Sequence, residues 1–155
     1  MAGLRVGDQA PALRSHDQYG SDFVLEDWRG HPVLLVFFAF AFTSVCHHEM
    51  IDLRDSRYLF DAAGCRMAAI STDTTFSLRE FARQNSLGFT LLTDHWPHGA
   101  IGQSYGAFDS SLGCDRRMSF LIDPDGTIRW MTSTDLPQAR DVGEHLEAVH
   151  YHFPG

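Results

Sequence analysis

The chain of 155 residues has the length of one domain and is long enough to bury a hydrophobic core. Hydrophobic residues make up 44% of it and charged residues 21%, as expected for a globular protein. A formal net charge of −8 argues against nucleic acid as a general partner, and the longest apolar run is too short to span a bilayer.

Cysteine usage and the N-terminus predict a cytoplasmic protein. Residues 1–10 lack the apolar core of a signal peptide. The three cysteines, Cys46, Cys65 and Cys114, are an odd number without paired spacing, so we expect no disulfide scaffold.

The N-terminal part of the chain predicts a β-hairpin that leads into a buried strand. Residues 15–21 are polar and turn-like, and Phe23-Val24-Leu25 is the candidate for the second arm. After a loop, Val33–Phe42 is a continuous apolar run with β-branched and aromatic residues. This run predicts a strand that is buried on both faces.

Cys46 is predicted to lie in the first turn of a helix that follows this strand. Thr43 and Ser44 offer hydroxyl groups suited to a helix start. Open backbone N–H groups and the positive end of the helix dipole point to such a position, and both stabilise a thiolate. The alternative is a buried, inert cysteine.

The middle of the chain alternates between predicted strands and helices. The first helix ends near Gly64, where glycine suits a C-terminal cap. A second helix starts at Thr74 or Thr75 and closes at Gly88. The other predicted segments are strands at Cys65–Ser71 and Phe89–Leu92, a loop at 93–100, a short helix through Ser104, an extended piece at 105–108 and a loop at 109–115.

The last part predicts a second hairpin and a final helix. Arg117–Ile122 and Thr127–Met131 flank the turn sequence Asp-Pro-Asp-Gly, and Gln138–His150 forms the helix. A parallel strand pair followed by an antiparallel pair predicts an α/β fold of one domain over residues 1–155. We expect a thioredoxin-like mixed central sheet with helices on both faces and an added N-terminal β-hairpin.

Several segments identify a family resemblance. The segment around Thr43 and Cys46 resembles the active-site loop of peroxiredoxins, whose motif is Pro-x-x-x-Thr-x-x-Cys, although Ala39 stands at the position of the proline. Arg117 precedes a strand that resembles the one carrying the active-site arginine of that family. The loop at 94–100, Asp-His-Trp-Pro-His-Gly-Ala, resembles the one-cysteine, alkyl hydroperoxide reductase E-like subgroup of actinobacteria.

The resemblance implies a peroxidase and assigns its residues. Cys46 would be the nucleophile and pass through a sulfenic acid, and Arg117 would supply a fixed positive charge that binds the peroxide. Thr43 would donate or accept a hydrogen bond through its hydroxyl group. Glu49 would not contact the peroxide itself but would orient an arginine of the site. Arg116, the neighbour of Arg117, would be exposed to solvent. Without the resemblance, the sequence alone favours Arg117 as a surface arginine in an ordinary ion pair.

Ala39 in place of proline predicts a wider pocket. Phe38, Phe40 and Phe42 are candidate apolar walls, although strand alternation prevents all three from facing one pocket. A wider apolar mouth favours bulky organic hydroperoxides over hydrogen peroxide. The alternative is that Ala39 is a neutral substitution.

The resemblance also implies partners. We expect an external thiol or redoxin as the reductant, because Ile51 stands where a resolving cysteine would lie five residues after Cys46. Cys114 precedes Arg117 in a loop and remains an alternative resolving thiol. A homodimer is expected, with Trp96 and Pro97 as contact residues, unless Trp96 plugs the core instead.

No metal or cofactor is expected. His47 and His48 are adjacent on a helix and point to different faces, so they cannot easily share an ion with Cys46. A Cys-x-x-Cys motif of a disulfide exchanger is absent from the sequence. Two other readings stay open: a tailoring enzyme of specialised metabolism with a non-peroxide substrate, and a non-enzymatic thiol redox sensor.

Overall fold

The computed structural model describes residues 3–134 and 138–154. Within these ranges the α-helices are α1 Ser44–Ala62, α2 Thr75–Asn85, α3 Ala100–Ser104 and α4 Val142–His152, and Leu25–Trp28 forms a short 3-10 helix. The strands are β1 Arg14–His16, β2 Asp22–Val24, β3 Val33–Phe37, β4 Arg66–Ser71, β5 Thr90–Thr93, β6 Phe108–Asp109, β7 Cys114–Asp115, β8 Arg117–Ile122 and β9 Ile128–Thr134. None of the helices in these ranges has both the length and the apolar character that a membrane crossing requires.

The central sheet has five strands in the order β5-β4-β3-β8-β9. Strands β3, β4 and β5 run parallel, whereas β8 is antiparallel to β3 and β9 is antiparallel to β8. Strands β1 and β2 form a separate antiparallel hairpin. The topology confirms the predicted mixed sheet of an α/β thioredoxin-like fold with an N-terminal hairpin.

Alternating side chains of the sheet build one core layer on each face. On β3, Leu34 and Val36 pack with α1, α2 and α4, whereas Leu35 and Phe37 pack with the N-terminal segment and the region of α3. This alternation follows from the pleat of a strand. On β8, the first residue, Arg117, shares a face with Leu121, so its side chain projects towards the layer that contains α1.

Strand β3 is shorter than predicted, because the chain leaves the sheet after Phe37. The N–H of Phe38 still donates to the carbonyl of Ile70, at 2.8 Å. Beyond it, the N–H of Ala41 donates to the Asp73 carboxylate at 2.8 Å, and Phe42 adopts a left-handed backbone conformation with φ of 69°. Residues 38–43 therefore form a loop that ends the buried strand and starts α1.

Other elements also differ from their predicted bounds, as three cases show. Helix α2 ends at Asn85, because Ser86 turns left-handed with φ of 52°, before Gly88 is reached. Helix α4 begins at Val142, where the Asp141 side chain accepts from the N–H of Gly143. The loop predicted at 109–115 contains most of the small hairpin β6–β7.

Candidate active site

Cys46 is the third residue of α1 and lies in its first turn, at the carboxyl end of β3, as predicted. Thr43 is the cap residue, and its side chain makes no capping hydrogen bond. The Thr43 side chain therefore accepts no hydrogen bond from the first backbone N–H groups of the helix. The positive end of the helix dipole lies beside the sulfur.

The Cys46 sulfur contacts a buried arginine. Nη1 of Arg117 donates to Sγ at 3.0 Å, although the two residues are 71 positions apart in the sequence. Both side chains are buried, whereas Arg116 is exposed. The contact places a fixed positive charge directly beside the sulfur, where it can stabilise an anion that develops during a reaction at this atom.

Glu49 lies one turn after Cys46 and binds two arginines. Its Oε1 accepts from Nη1 of Arg117 at 2.6 Å, and Oε2 accepts from the backbone N–H and Nε of Arg140 at 2.7 and 2.8 Å. Burial alone would raise the pKa of Glu49. The hydrogen bonds from Arg140 and the charges of Arg140 and Arg117 outweigh the effect of burial, so the pKa of Glu49 lies below its usual range. Glu49 is thus an anion that fixes both guanidinium groups.

Arg140 extends the site towards α4, and the sequence reasoning missed it. Its Nη1 donates to the carbonyl of Met118 at 2.9 Å and to Oγ of Ser119 at 3.1 Å. Ser119 Oγ lies 2.8 Å from Nε2 of His145. The heptad-like spacing of residues 142, 145, 146 and 149 places His145 on the buried face of α4, a signal that the sequence did contain.

Thr43 turns its hydroxyl towards its own loop. Oγ1 of Thr43 donates to the carbonyl of Phe40 at 2.8 Å, and Thr43 itself is exposed. With its proton used in this bond, the hydroxyl oxygen is left to accept a hydrogen bond from an incoming molecule.

The predicted pocket residues lie in different environments. Ala39 and Phe38 are buried in the apolar layer that also contains Cys46, and the Phe38 side chain is fully buried, as the Cys46 side chain is. Phe40 and Phe42 are exposed by 41% and 50%, and the ring of Phe42 packs edge-on against Phe81. Of the three phenylalanines, Phe40 and Phe42 are the two that reach the surface.

Cys65 and Cys114 are buried thiols. Burial raises the pKa of Cys65 to about 12. Burial also raises the pKa of Cys114 to about 11, with further contributions from the charges of Asp109, Asp115 and Cys46. Both groups therefore stay protonated at neutral pH and are poor nucleophiles in the resting protein, although Cys114 belongs to the same buried layer as Cys46.

Trp96 and Pro97 lie on the surface. Trp96 is 83% exposed, which excludes the alternative that it plugs the core. Both residues border a cleft of about 410 Å³ between the β1–β2 hairpin and the loop after β5.

No cluster of three or more His, Cys, Asp or Glu side chains within residues 3–134 and 138–154 is arranged to hold a metal ion.

Comparisons with known proteins show which family the chain is similar to. The model of a family described as AhpC/TSA matches residues 6–131. The chain is 37% identical to alkyl hydroperoxide reductase E of Mycobacterium tuberculosis over 139 residues, which cover 89% of this chain and 91% of that protein. It is 31% identical to a thioredoxin peroxidase of Fasciola hepatica over 156 residues, covering 94% and 79%. The crystal structure of peroxidoxin BcpB from Mycobacterium tuberculosis superposes with a TM-score of 0.86 at 24% identity, over 96% of this chain and 97% of that one.

Proposed function

Because the chain belongs to the AhpC/TSA family, we propose that it is a thiol-dependent peroxidase that reduces hydrogen peroxide or organic hydroperoxides with Cys46 as the attacking residue. One observation carries the assignment to Cys46. Its sulfur lies in the first turn of α1 and accepts a hydrogen bond of 3.0 Å from the buried Arg117.

The first step transfers one oxygen atom to the sulfur. The Cys46 thiolate attacks the terminal oxygen of the hydroperoxide, the O–O bond breaks, and the products are a sulfenic acid and an alkoxide or hydroxide that takes a proton from water. Arg117 and the open N–H groups at the start of α1 stabilise the departing anion. The hydroxyl of Thr43, oriented by its bond to Phe40, accepts from the O–H of the peroxide and aligns it.

The second step returns the enzyme to the thiol. An external thiol or redoxin attacks the sulfenic acid and releases water, and a second thiol reduces the mixed disulfide. An external reductant is favoured over Cys114, because burial keeps Cys114 protonated in the resting protein. Non-reducing peptide mapping of the oxidised protein checks this cycle: a quantitative Cys46–Cys114 disulfide would replace it with an intramolecular one.

We further propose a homodimer located in the cytoplasm. The exposed Trp96 supports the dimer, since a tryptophan left in water on a monomer is a common contact residue in interfaces. All three cysteines are free thiols, which suits a reducing compartment.

Trapping of the sulfenic acid tests the function. We expect one equivalent of peroxide to convert Cys46, and not Cys65 or Cys114, into a species that a sulfenic-acid reagent captures and mass spectrometry locates. Capture chiefly at Cys65 or Cys114 would contradict the assignment. Ready alkylation of Cys46 without any peroxide turnover would instead favour the function of a tailoring enzyme. A single oxidation of Cys46 that changes the binding of a partner would favour a redox sensor.

A further inference from the structure

A continuous chain of hydrogen bonds joins helix α4 to the sulfur of Cys46. It runs from His145 through Ser119, Arg140, Glu49 and Arg117, and its hydrogen-bonded distances lie between 2.6 and 3.1 Å. All of these side chains are buried. We call this set the arginine relay: Cys46, Arg117, Glu49, Arg140, Ser119 and His145.

The polarity of the far end of the relay follows from its geometry. Nδ1 of His145 lies 2.8 Å from the carbonyl oxygen of Asp141, which can only accept, so Nδ1 carries the proton. In a neutral ring Nε2 is then an acceptor, and the Ser119 hydroxyl donates to it. The oxygen of Ser119 keeps its lone pairs for Arg140, whose Nη1 donates to it.

We infer that His145 is a positioning residue, which orients Ser119 as an acceptor for Arg140 and thereby fixes Glu49 and the Arg117 guanidinium against Cys46. This inference rests on the proposed function and assigns a role in it to a histidine remote from the reacting sulfur. A protonated ring would turn Nε2 into a donor, so that Ser119 could no longer donate to it. It would also place a second cation beside Arg140.

The charged groups around His145 fall into two sets. Arg140 opposes protonation, whereas Asp141 in the segment before α4 and Glu49 on α1 favour it; Asp52 of α1 lines the same small cavity. Two further neighbours, Ser119 of β8 and the ring of Trp130 on β9, do not ionise in this range. The pKa of His145 lies below its usual value, chiefly because burial disfavours the charged ring, so the neutral ring prevails at neutral pH.

Four variants test the relay. His145→Leu removes the acceptor, His145→Gln retains an acceptor that does not titrate, Ser119→Ala removes the link, and His150→Gln replaces an exposed histidine of the same helix as the matched control. For each variant we would measure the rate of Cys46 alkylation by iodoacetamide, the rate with hydrogen peroxide, and the thiolate absorbance, between about pH 5 and pH 8.

We expect His145→Leu to slow both reactions about tenfold at neutral pH, the lower end of the range for losing a hydrogen-bond partner that orients a functional group. The rates of His145→Gln should stay within about threefold of the wild-type rates at neutral pH. This variant should also lose the part of the rate decrease at acidic pH that is due to protonation of His145, while His150→Gln keeps the wild-type dependence of rate on pH. The double variant Ser119→Ala/His145→Leu should be no slower than the slower single variant, because residues that act as one unit are not additive.

A folded His145→Leu protein with the rates and thiolate titration of His150→Gln would overturn the inference, and so would additive effects in the double variant. If His145→Leu does not fold, Ser119→Ala decides alone, and wild-type rates in it count against the relay. A wild-type protein that alkylates at Cys46 but ignores peroxide would refute the proposed function, while the alkylation and thiolate readings would still test the relay.

Discussion

Two adjacent arginines lie at the start of β8 in opposite environments. Arg117 is buried against Cys46, whereas Arg116 is exposed. We predict that Arg117→Met slows the reaction of Cys46 with peroxide about 100-fold or more, because it removes a fixed charge from a developing anion. Arg116→Met should change the rate little, as stopped-flow measurements on both variants would check.

The control for this comparison is the fold of the Arg117→Met protein. Removing one partner of a buried ion pair often costs about 3–5 kcal/mol of stability. Glu49 keeps its bonds from Arg140, so we expect the variant to stay folded, with a lower melting temperature. Equal, mild rate effects of the two substitutions in folded proteins would show that Arg117 has been assigned the wrong role.

Ala39 allows a prediction about substrate choice. It is buried in the same layer as Cys46, at the position where the family motif has proline. Proline would fix φ near about −65° and add a rigid ring, so Ala39→Pro should narrow the site. We expect the ratio of the rate constants for a fatty-acid hydroperoxide and for hydrogen peroxide to fall in the variant. An unchanged ratio would mean that Ala39 does not control pocket width.

At the scale of elements, a pair of buried carboxyl groups joins α3 to the β6–β7 hairpin. Both oxygens of Asp94 accept from backbone N–H groups of α3, those of Ile101 and Gly102, at 2.8 Å. Neither oxygen of Asp115 has a donor among the described residues. Burial raises the pKa of Asp115 to about 9, and the neighbouring charge of Asp94 adds to it. Asp115 therefore holds a proton that it can donate to Asp94.

This pair makes stability depend on pH. Asp115 has an ordinary pKa of 3.8 when unfolded and about 9 when folded, so its contribution to stability is complete below the lower value and is lost as the pH rises towards the upper one. Asp115→Asn supplies a permanent donor. We predict that the stability of the variant relative to wild type rises with pH in this window, by at most about 1.4 kcal/mol per pH unit.

Urea unfolding at several pH values would measure this difference. Asp125→Asn, at an exposed position in the turn between β8 and β9, is the matched control and should follow the wild type. A constant difference between Asp115→Asn and wild type from about pH 5 to pH 9 would show that Asp115 is not protonated in the fold.

Elements with a strong local pattern could be predicted from the sequence, and their ends often could not. Strand β8 has the predicted bounds Arg117–Ile122, because the Asp-Pro-Asp-Gly turn that follows it ends the strand locally. The end of β3 depends instead on a contact from Ala41 to Asp73, 32 residues away. An apolar run in the sequence cannot show where a side chain so distant in the sequence forms a hydrogen bond with the backbone.

At the scale of the whole molecule, the site is assembled from three distant parts of the chain. The motif around Cys46 and the start of β8 at Arg117 each carry a recognisable signal in the sequence, so both segments could be singled out from the sequence alone. Arg140 lies 91 residues from Glu49 in a segment without a pattern, and only the packing of α4 beside α1 and β8 brings it to that carboxylate. Its partner His145 could have been found from helical spacing, but its bond to Ser119 could not.

The assembly of two copies is the last prediction, and Trp96 decides it. Trp96 is 83% exposed beside the cleft under the β1–β2 hairpin, and burying such a ring against a second copy would stabilise a dimer by roughly 1.5–3 kcal/mol per side chain. We expect sedimentation velocity to show a dimer at micromolar concentration and Trp96→Arg to raise its dissociation constant at least about tenfold. Tyr151→Arg is the matched control, since Tyr151 is 81% exposed on α4, away from that cleft. A wild-type monomer, or equal effects of the two arginine substitutions, would refute this interface.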